Sequence, residues 1–477
     1  MTTPGTQLVS RSAPPSRGGA AQTGTWHIAA LAERGRTDAP VLLYSLNDYD
    51  KWFGGRVSYG QRDAVETYFR NGGVAVNMIR IVGPAATVAT VNLPGAASAP
   101  SLAIDAAGAG ASTLTVSVEV SGSLFTLKVF EAGILLMVSP PYASPAEAVN
   151  WSNDNPYVRV RAVGSVIPVA SAAVSIAGGT DDRASVTDVH RIAALNRIPS
   201  GAGPGQVSIP GATTSAAHIG VALHAKANNR FALLDAPNSS VTADLVAAST
   251  AARAGLTDLE QTYCFLVEGW AYIPGVAVGT TRTVPPSSIV AALMAARDAL
   301  TGNPNDPAAG ANGLPSYMLG LARSNWSDTD RGELNDVGVN VFREIARSQR
   351  LYGYRTLVDI NSTEGGWLSA SNARLRMAIL SAADAISESF VFSQLTKAKI
   401  AEYNGVLSGM LLGYYNLGAL FGDTPEEAFV VDTGTTVNTP TTLAERRLSA
   451  VIGVRMTEFA EIVYMEFVKI PVNEELT

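Results

Sequence analysis

The stretch YGQRDAVETYFRNGGVAVNMIRIVG, residues 59–83, constrains the fold more than any other part of the chain. Apolar residues recur at helical spacing from 64 to 69, and an Asn-Gly-Gly sequence then provides a helix C-terminal cap. Residues 74–83 follow as a nearly all-apolar run, the pattern of a strand buried on both faces. A helix directly followed by such a strand predicts α/β layering.

This alternation is interrupted and then resumes. Residues 85–179 are short alternating runs of small and β-branched residues separated by turns, which predicts an inserted β-rich domain. From residue 180 helices and apolar strands alternate again, as in a parallel sheet covered on both faces. The sequence therefore predicts a multidomain α/β (α+β) fold. Beyond residue 180, helices are predicted at 186–196, 215–227, 242–255, 287–301, 369–404 and 441–448, and strands at 230–237, 262–274 and 460–470.

Bulk composition excludes several classes of function. The chain has 477 residues, a formal net charge of −7 and no cluster of Lys and Arg, which argues against nucleic-acid binding. Its single cysteine, Cys264, excludes an internal disulfide, and its apolar surroundings indicate a buried structural thiol. The longest apolar run, residues 133–138, is far too short to span a bilayer, and no signal-peptide pattern precedes it.

The sequence does not offer a catalytic or metal-binding constellation. His218 and His224 are six residues apart, so they do not share a helix face as a metal pair must, and we interpret them as solvated or locally hydrogen-bonded. The GAGPGQ sequence at 201–206 is interpreted as a surface connection, because its proline lacks the N–H that a phosphate needs. The acidic residues at 180–182 and 327–330 are assigned to helix capping and a solvated turn. No catalytic residue, metal site or cofactor is predicted, although a Ser-His-Asp triad assembled from distant residues stays open.

Two separated regions of the sequence contain motifs that resemble those of a known protein family. Residues 38–83 contain an aromatic residue followed by Phe-Gly-Gly at 52–55 and the Asn-Gly-Gly sequence at 71–73 before a strand. Residues 418–470 contain Gly-x-Thr-Pro-Glu-Glu-Ala-Phe at 422–429 and Asn-Thr-Pro at 438–440. In this order, these motifs resemble those of tail sheath proteins of contractile bacteriophages and related contractile injection systems.

The resemblance implies a structural protein that self-assembles into stacked six-membered rings around a tail tube. In such sheaths, extended terminal arms add strands to sheets of neighbouring subunits, and contraction drives the tube through the target envelope. The implied partners are other copies of the chain, the tube protein, and baseplate and tail terminator proteins, without nucleic acid or membrane insertion. The implied location is the sheath of a virion tail, assembled in the bacterial cytoplasm.

The resemblance also implies boundaries between functional segments of the chain. It implies an N-terminal arm at 1–23, an α/β core at 24–84 and 180–330 around the inserted domain at 85–179, a tube-proximal C-terminal region at 331–458, and a C-terminal strand arm at 459–477. Thr6, Gln7, Leu8, Val9 and Ser10 are the predicted inter-subunit residues of the first arm. Those of the second arm are Ile462, Val463, Tyr464, Met465, Glu466, Phe467 and Val468.

Some alternatives stay open at this stage. Glu445, Arg446 and Arg447, on a predicted short helix, offer charged contacts to a tube, but an ordinary solvated face explains them equally well. The terminal strand at 460–470 either pairs within its own sheet or is donated to another copy. For the whole chain, the alternatives are a soluble α/β hydrolase-like enzyme with an inserted β-domain, or a tail or baseplate component that does not contract.

Overall fold

A computed structural model describes residues 23–152, 155–323, 325–461 and 464–465 of the protein. The described part begins with strands and helices in the order β1 (Thr25–Ala30), β2 (Val41–Leu43), α1 (Leu46–Phe53), α2 (Arg62–Arg70) and β3 (Ala75–Arg80). Helix α2 ends as predicted, because Gly72 takes a φ of 92° and the N–H groups of Gly72 and Gly73 donate back to the carbonyls of Phe69 and Tyr68. Strand β3 is fully buried, as its apolar sequence predicts.

The next segment is rich in antiparallel strands. Its elements are β4 (Val88–Leu93), β5 (Leu102–Ala109), β6 (Leu114–Ser121), β7 (Leu124–Glu131), β8 (Ile134–Val138), α3 (Pro145–Val149), β9 (Val158–Ala162) and β10 (Ser171–Ser175). They form one sheet in the order β4-β5-β9 and another in the order β10-β6-β7-β8. The two sheets share a hydrophobic cluster of their own, including Ile104, Val116 and Leu127, which are fully buried. All these elements lie within the predicted insertion at 85–179.

The α/β pattern then returns. Its elements are α4 (Asp188–Leu195), β11 (Gln206–Ser208), α5 (Ser215–Ala227), β12 (Phe231–Asp235), α6 (Thr242–Ala254), α7 (Asp258–Gln261), β13 (Cys264–Val267), β14 (Ala271–Pro274), β15 (Thr281–Val284), α8 (Pro286–Thr301), β16 (Gly320–Leu321), α9 (Asp328–Asp336) and β17 (Val339–Asn340). Two predictions are corrected here. The run 262–274 is two strands in different sheets, because Gly269 turns the chain with a φ of 146°. The stretch 327–330 is the capped start of α9, since the Ser327 hydroxyl accepts the Asp330 N–H.

The C-terminal region combines a helical hairpin with short strands. Its elements are β18 (Phe342–Ile345), β19 (Ser348–Leu351), α10 (Ala370–Glu388), α11 (Lys397–Asn416), α12 (Pro425–Ala428), β20 (Phe429–Asp432), α13 (Pro440–Ala444) and β21 (Val451–Val454). The helical stretch predicted at 369–404 is divided between two helices, α10 and α11. Phe392 takes a φ of 63° between α10 and α11, and Thr396 caps the second helix by accepting the Lys399 N–H.

The central sheet has the order β17-β13-β12-β11-β1-β3-β2, and all of its pairings are parallel except that of the edge strand β2. Adjacent residues of β1 point to opposite faces of this sheet. Trp26 stacks on Tyr68 of α2, with ring centroids 5.2 Å apart, whereas His27 lies on the opposite face, beside Asn77 of β3. Helices α4 and α5 pack against the sheet strands β1 and β12, and α8 packs against α2 and β12. The predicted α/β fold is confirmed.

Candidate assembly interface

The C-terminal strands β20 and β21 form a two-stranded antiparallel sheet separate from the central one. Val430 lies opposite Gly453, and the Arg455 N–H donates to the Ala428 carbonyl at 2.8 Å, which extends the pairing by one step. The chain beyond β21 pairs on the same side with an earlier segment, because the Thr457 N–H donates to the Ala419 carbonyl at 3.0 Å. Residues 451–457 therefore behave as one extended strand with partners along one side.

The opposite side of this strand is an open edge. In an antiparallel ladder, main-chain groups of successive residues point alternately toward and away from the partner. Because residues 453, 455 and 457 face β20 and its extension, the N–H and C=O groups of Ile452, Val454 and Met456 point away. Within the described ranges, no backbone hydrogen bond reaches these groups. We call the outward groups of residues 452–456 the acceptor edge.

The other side of the hairpin is covered by its own chain. Helix α11 packs along β20, and the Asn404 side-chain amide donates to the outward Val431 carbonyl at 2.8 Å. The hairpin packs over a small apolar core, the cluster of buried side chains that includes Leu375, Leu411 and Leu420. A supported sheet with one free, β-branched edge is chemically suited to bind an added strand through main-chain hydrogen bonds.

The predicted tube-contact residues lie in the connection between β20 and β21. Helix α13 ends at Ala444, and Glu445, Arg446 and Arg447 follow it, so the prediction that all three lie on a helix is wrong. The helix stops because Arg446 takes a φ of 61°, while the N–H groups of Arg446 and Arg447 donate to the carbonyls of Leu443 and Thr442. All three side chains are exposed, and Arg447 lies 3.6 Å from the Glu445 carboxylate.

The chain stays attached to the body for a few residues after the acceptor edge. Phe459 packs edge-on against Tyr354, with ring centroids 6.2 Å apart, and the Asn372 amide donates to Glu458. Glu461 forms a bidentate ion pair with Arg355, and this carboxylate raises the pKa of the Arg355 guanidinium. Residues 459–461, assigned from the sequence to the C-terminal arm, therefore contact the core.

The predicted arm residues can be placed only in part. Tyr464 and Met465 are exposed, at 86% and 85%, and neither lies in a strand. The remaining predicted residues of the C-terminal arm, Ile462, Val463, Glu466, Phe467 and Val468, lie outside the described residues. So do all five of the N-terminal arm, Thr6, Gln7, Leu8, Val9 and Ser10. Both sets stay predictions.

The beginning of the described chain is firmly attached. The Thr23 hydroxyl donates to the Asp298 carboxylate, and the Thr23 carbonyl accepts a hydrogen bond from the Gln206 amide at 3.0 Å. One residue later, the Gly24 carbonyl accepts from the Tyr68 hydroxyl at 2.7 Å. The N-terminal segment therefore joins the body at the amino ends of the parallel strands.

Three of the four histidines have structural roles. His27, His218 and His224 are buried, and burial is the main cause that lowers the pKa of each, to about 3 for His27 and about 4 for His224. His218 donates to the Asp235 carbonyl at 3.0 Å, and His224 lies between Asn196 and Arg230. Of the two interpretations made from the sequence, local hydrogen bonding is therefore correct for these two residues and solvation is wrong. Across the described ranges, no cluster of three or more His, Cys, Asp or Glu side chains is arranged to hold a metal ion.

Two buried carboxylates lie at the carboxyl ends of neighbouring strands, and the sequence did not single them out. Asp235, at the end of β12, accepts from the Gly211 N–H and from the backbone and hydroxyl of Ser287, and burial raises its pKa to about 6. Glu268, just after β13, is fully buried, and its oxygens make no hydrogen bond of good geometry to described residues. Burial raises the Glu268 pKa to about 8, against the opposing charge of Arg323.

Neither a protein-family model nor a curated protein sequence matches the chain. Several solved structures, however, are similar to it. A sheath tail protein from Listeria innocua superimposes with a TM-score of 0.62 at 12% identity, over 87% of this chain and 90% of its own. The helical sheath of the anti-feeding prophage in its contracted state gives 0.57 at 16% identity, over 98% of this chain and 99% of its own. This chain has the contractile-sheath fold.

The sheath fold extends through the middle of the chain as well as its ends. A third similar structure, the contracted sheath complex of an extracellular contractile injection system, gives a TM-score of 0.58 at 14% identity and covers 98% of both chains. The resemblance that the sequence motifs indicated is thus confirmed at the level of the fold, including the β-rich segment. In the described part of this sheath-fold chain, no helix combines the length and apolar character needed to cross a bilayer.

Proposed function

We propose that this chain is the structural subunit of a contractile sheath, assembled by strand exchange between copies into stacked six-membered rings around a tail tube. Contraction of the sheath would drive the tube through the target envelope. The single observation that carries this proposal is the acceptor edge, which presents unpaired main-chain groups of residues 452–456. The sheath fold supports it and favours a structural role over an enzymatic one.

The arms have the reach that strand exchange requires. Residues 462–477, which follow the ion pair between Arg355 and Glu461, have a maximum reach of about 55 Å at roughly 3.4 Å per fully extended residue. Residues 1–22 have a maximum reach of about 75 Å on the same basis, whereas the radius of gyration of a folded chain of this length is about 23 Å. Either arm is therefore long enough to cross to a neighbouring copy.

The acceptor edge can hold a donated strand firmly. The outward groups of Ile452, Val454 and Met456 offer up to six backbone hydrogen bonds, two per residue, each contributing a net ~0.5–1.5 kcal/mol. Val451 and Val430, which are 56% and 61% exposed, supply apolar surface for alternate side chains of the incoming strand. The apolar run at 462–468 has the composition of such a strand.

The wider assembly follows from the same proposal. The partners are further copies, a tail tube, and baseplate and terminator proteins, and the location is the tail sheath of a virion or of a phage-like injection system. Glu445, Arg446 and Arg447, exposed between β20 and β21, are the residues proposed for the tube contact. The functional division at 1–23, 24–84, 85–179, 180–330, 331–458 and 459–477 belongs to the proposal as well.

A second candidate rests on a different comparison. A chain in the baseplate structure of the anti-feeding prophage is also similar, with a TM-score of 0.59 at 14% identity and 98% coverage of this chain. A baseplate component that uses the sheath fold without forming a long polymer is therefore the alternative. Electron microscopy of the purified protein separates the two, because only a sheath subunit forms long hollow cylinders.

Truncation tests the strand exchange itself. Removal of residues 462–477 should abolish cylinders and leave soluble subunits with an unchanged unfolding midpoint, because the truncation spares the ion pair between Arg355 and Glu461. Removal of residues 471–477 alone is the matched control and should preserve assembly, since it spares the predicted strand. Cylinders of unchanged length from the longer truncation would falsify donation by the C-terminal arm.

A further inference from the structure

The turn at residues 198–204, between α4 and β11, is attached to the body mainly by side chains of other elements. Ile198, at its start, is buried in the core. Beyond it the main-chain hydrogen bonds are local, such as that from the Ala202 N–H to the Pro199 carbonyl at 3.1 Å. Within the described ranges, no main-chain hydrogen bond joins residues 199–204 to a strand. The position of this turn therefore depends on a few polar side chains.

Arg230, just before β12, makes most of these attachments. Its fully buried guanidinium donates to three carbonyls of the turn, those of Ile198, Pro199 and Gly203. Burial lowers the pKa of Arg230 to about 10, so the group is charged at neutral pH. All its hydrogen-bond acceptors among the described residues are neutral. A buried positive charge thus holds the turn without a carboxylate bound to it.

The fourth acceptor of this guanidinium is an imidazole nitrogen. Arg230 Nη1 lies 2.9 Å from His224 Nε2, and because a guanidinium can only donate, Nε2 must be unprotonated for this bond to form. The other ring nitrogen, Nδ1, lies 3.0 Å from the side-chain oxygen of Asn196 and donates to it. Burial, together with the charge of Arg230, lowers the pKa of His224 to about 4. The closed turn therefore requires a neutral His224.

One other titratable group lies beside this cluster. His27 of β1 donates to the Pro204 carbonyl at 3.2 Å, and burial and the Arg230 charge lower its pKa to about 3. Charged side chains on the helices that pack around α5 are engaged elsewhere. The pairs are Arg191 with Asp188 on α4, Lys226 of α5 with Glu260 of α7, and Asp244 of α6 with Ser239. A proton on His224 therefore meets the charge of Arg230 first.

We propose that Arg230 and His224 form an acid-sensitive latch that holds the turn at 198–204 against the body. At neutral pH the guanidinium bridges the carbonyls of the turn and His224 Nε2. In acid a proton adds to Nε2, the atom that accepts from Arg230, and two buried cations then face each other in a medium of low dielectric constant. The turn detaches to relieve this repulsion, while the central sheet stays folded.

Release of the turn changes one wall of a groove. Ala202, Gly203 and Pro204 line a groove of about 1080 Å³ at the amino ends of the parallel strands, which α10 and α11 also line. The latch therefore makes the shape of this groove depend on pH. It is a property of one folded subunit and does not rest on assembly into a sheath, so its failure is distinguishable from failure of strand exchange.

Hydrogen exchange on the full-length monomer tests the latch. The Ala202 and Gly203 N–H groups bond within the turn, so their protection reports whether the turn is formed. The lowered pKa of His224 makes the closed turn fully stable above pH 6.5, and this stability is lost as pH falls toward 4. After correction for intrinsic exchange, the opening constant should rise about tenfold for each unit of pH across this window.

Two results of this experiment would contradict the latch. The first is constant protection of the Ala202 and Gly203 amides between pH 6.5 and 4. The second is an equal loss of protection at the Ala232 N–H, which bonds to the Tyr263 carbonyl inside the central sheet, because that would be global unfolding.

Two variants assign the pH dependence to His224. His224→Gln retains an acceptor for Arg230 that does not titrate, so it should keep the turn closed and flatten the tenfold slope. His190→Gln, at the start of α4, is the matched control, because glutamine also supports the capping box there, and it should leave the slope intact. Thermal unfolding shows whether each variant is folded. An unchanged slope in folded His224→Gln would overturn the proposal.

Nitrogen NMR of the histidine rings in the natural protein gives a readout that needs no variant. At pH 7 the Nε2 resonance of His224 should be that of an unprotonated nitrogen. Its titration midpoint should lie near pH 4 and coincide with the loss of protection in the turn. A protonated Nε2 at pH 7, or a midpoint near the ordinary value of 6.5, would exclude the latch.

Discussion

Arg374 of α10 donates to the carboxylate of Asp298 on α8, and the two side chains are only 2% and 8% exposed. The same carboxylate accepts from the hydroxyl of Thr23, the first described residue. Arg374 also donates to the Tyr354 hydroxyl at 3.2 Å. A helix of the sheet core, the C-terminal helical hairpin and the first described residue thus meet at one buried ion pair.

Loss of this ion pair should destabilise the whole body. Asp298→Asn leaves the Arg374 guanidinium buried without a counter-charge, which costs about 3–5 kcal/mol in comparable buried pairs. Denaturant unfolding of the monomer measures this loss. Glu119→Gln is the matched control, because Glu119 pairs with Lys128 on the surface and is 62% exposed, so its removal should cost only about 0–1 kcal/mol. Similar free energies of unfolding for the two variants would contradict the interpretation.

Proline substitution should separate assembly from folding at the acceptor edge. Ile452→Pro removes an N–H that points away from β20, so the monomer should lose no more than about 1 kcal/mol while cylinders fail to form. Gly453→Pro is the matched control, because it removes an N–H that faces β20 and should destabilise the hairpin itself. Sedimentation and thermal unfolding measure the two effects, and normal cylinders from Ile452→Pro would exclude strand addition at this edge.

The buried Glu268 should make stability depend on pH in a defined direction. Its pKa of about 8 in the folded state lies above the value of ~4.3 expected in the unfolded chain, so the folded state binds the extra proton between these values. The contribution of Glu268 to the free energy of unfolding is therefore fully present below pH ~4.3 and is lost as pH rises toward 8.

Glu268→Gln should remove that loss. The variant should resemble the natural protein near pH 4.5 and become more stable than it toward pH 8, by about 1.4 kcal/mol for each unit of pKa shift. Urea midpoints measured across this range for both proteins give the difference directly. Glu344→Gln, at an exposed position in β18, should show no such trend; the same trend in both variants would point away from Glu268.

Cys264 should report global unfolding. Its thiol is fully buried in β13, it donates to the Glu260 carbonyl, and burial raises its pKa, so a maleimide or disulfide reagent should not react with the native protein. Reaction should proceed only at the rate at which the core opens. A cysteine introduced by Val278→Cys, at a fully exposed loop position, is the control and should react within minutes; comparable rates at both thiols would show that Cys264 is accessible.

The parts of the fold that the sequence predicts are those where burial alone decides the pattern. Residues 75–80 and 231–235 are strands buried on both faces, and a continuous apolar run allows little else once a capped helix precedes it. The failures lie where the chain turns inside a predicted strand or helix. The bend at Gly269 and the break at Phe392 depend on backbone angles that the pattern of apolar residues does not specify.

The parts of the candidate site also differ in how far the sequence alone predicts them. The arms stay predictions that rest on composition, because a polar Pro- and Gly-rich opening and a terminal β-branched run differ visibly from the body. The acceptor edge could not be predicted, because VIGV at 451–454 has the sequence of an ordinary short strand. That one side of this strand is unpaired becomes visible only when its neighbouring strands are known. Glu268 was missed because a single acidic residue beside apolar ones does not show in the sequence that its carboxylate will be buried without a hydrogen-bond partner.

An acceptor edge made of main-chain groups also bears on how such a protein can evolve. Peptide N–H and C=O groups are the same whatever residues carry them, so mutation can replace most side chains around Ile452 and Val454 without removing the hydrogen-bonding groups of this edge. A chain assembled in this way is free to drift in sequence while its backbone geometry is inherited. Identities of 12–16% alongside TM-scores of 0.57–0.62 show a fold that is shared although most residues differ.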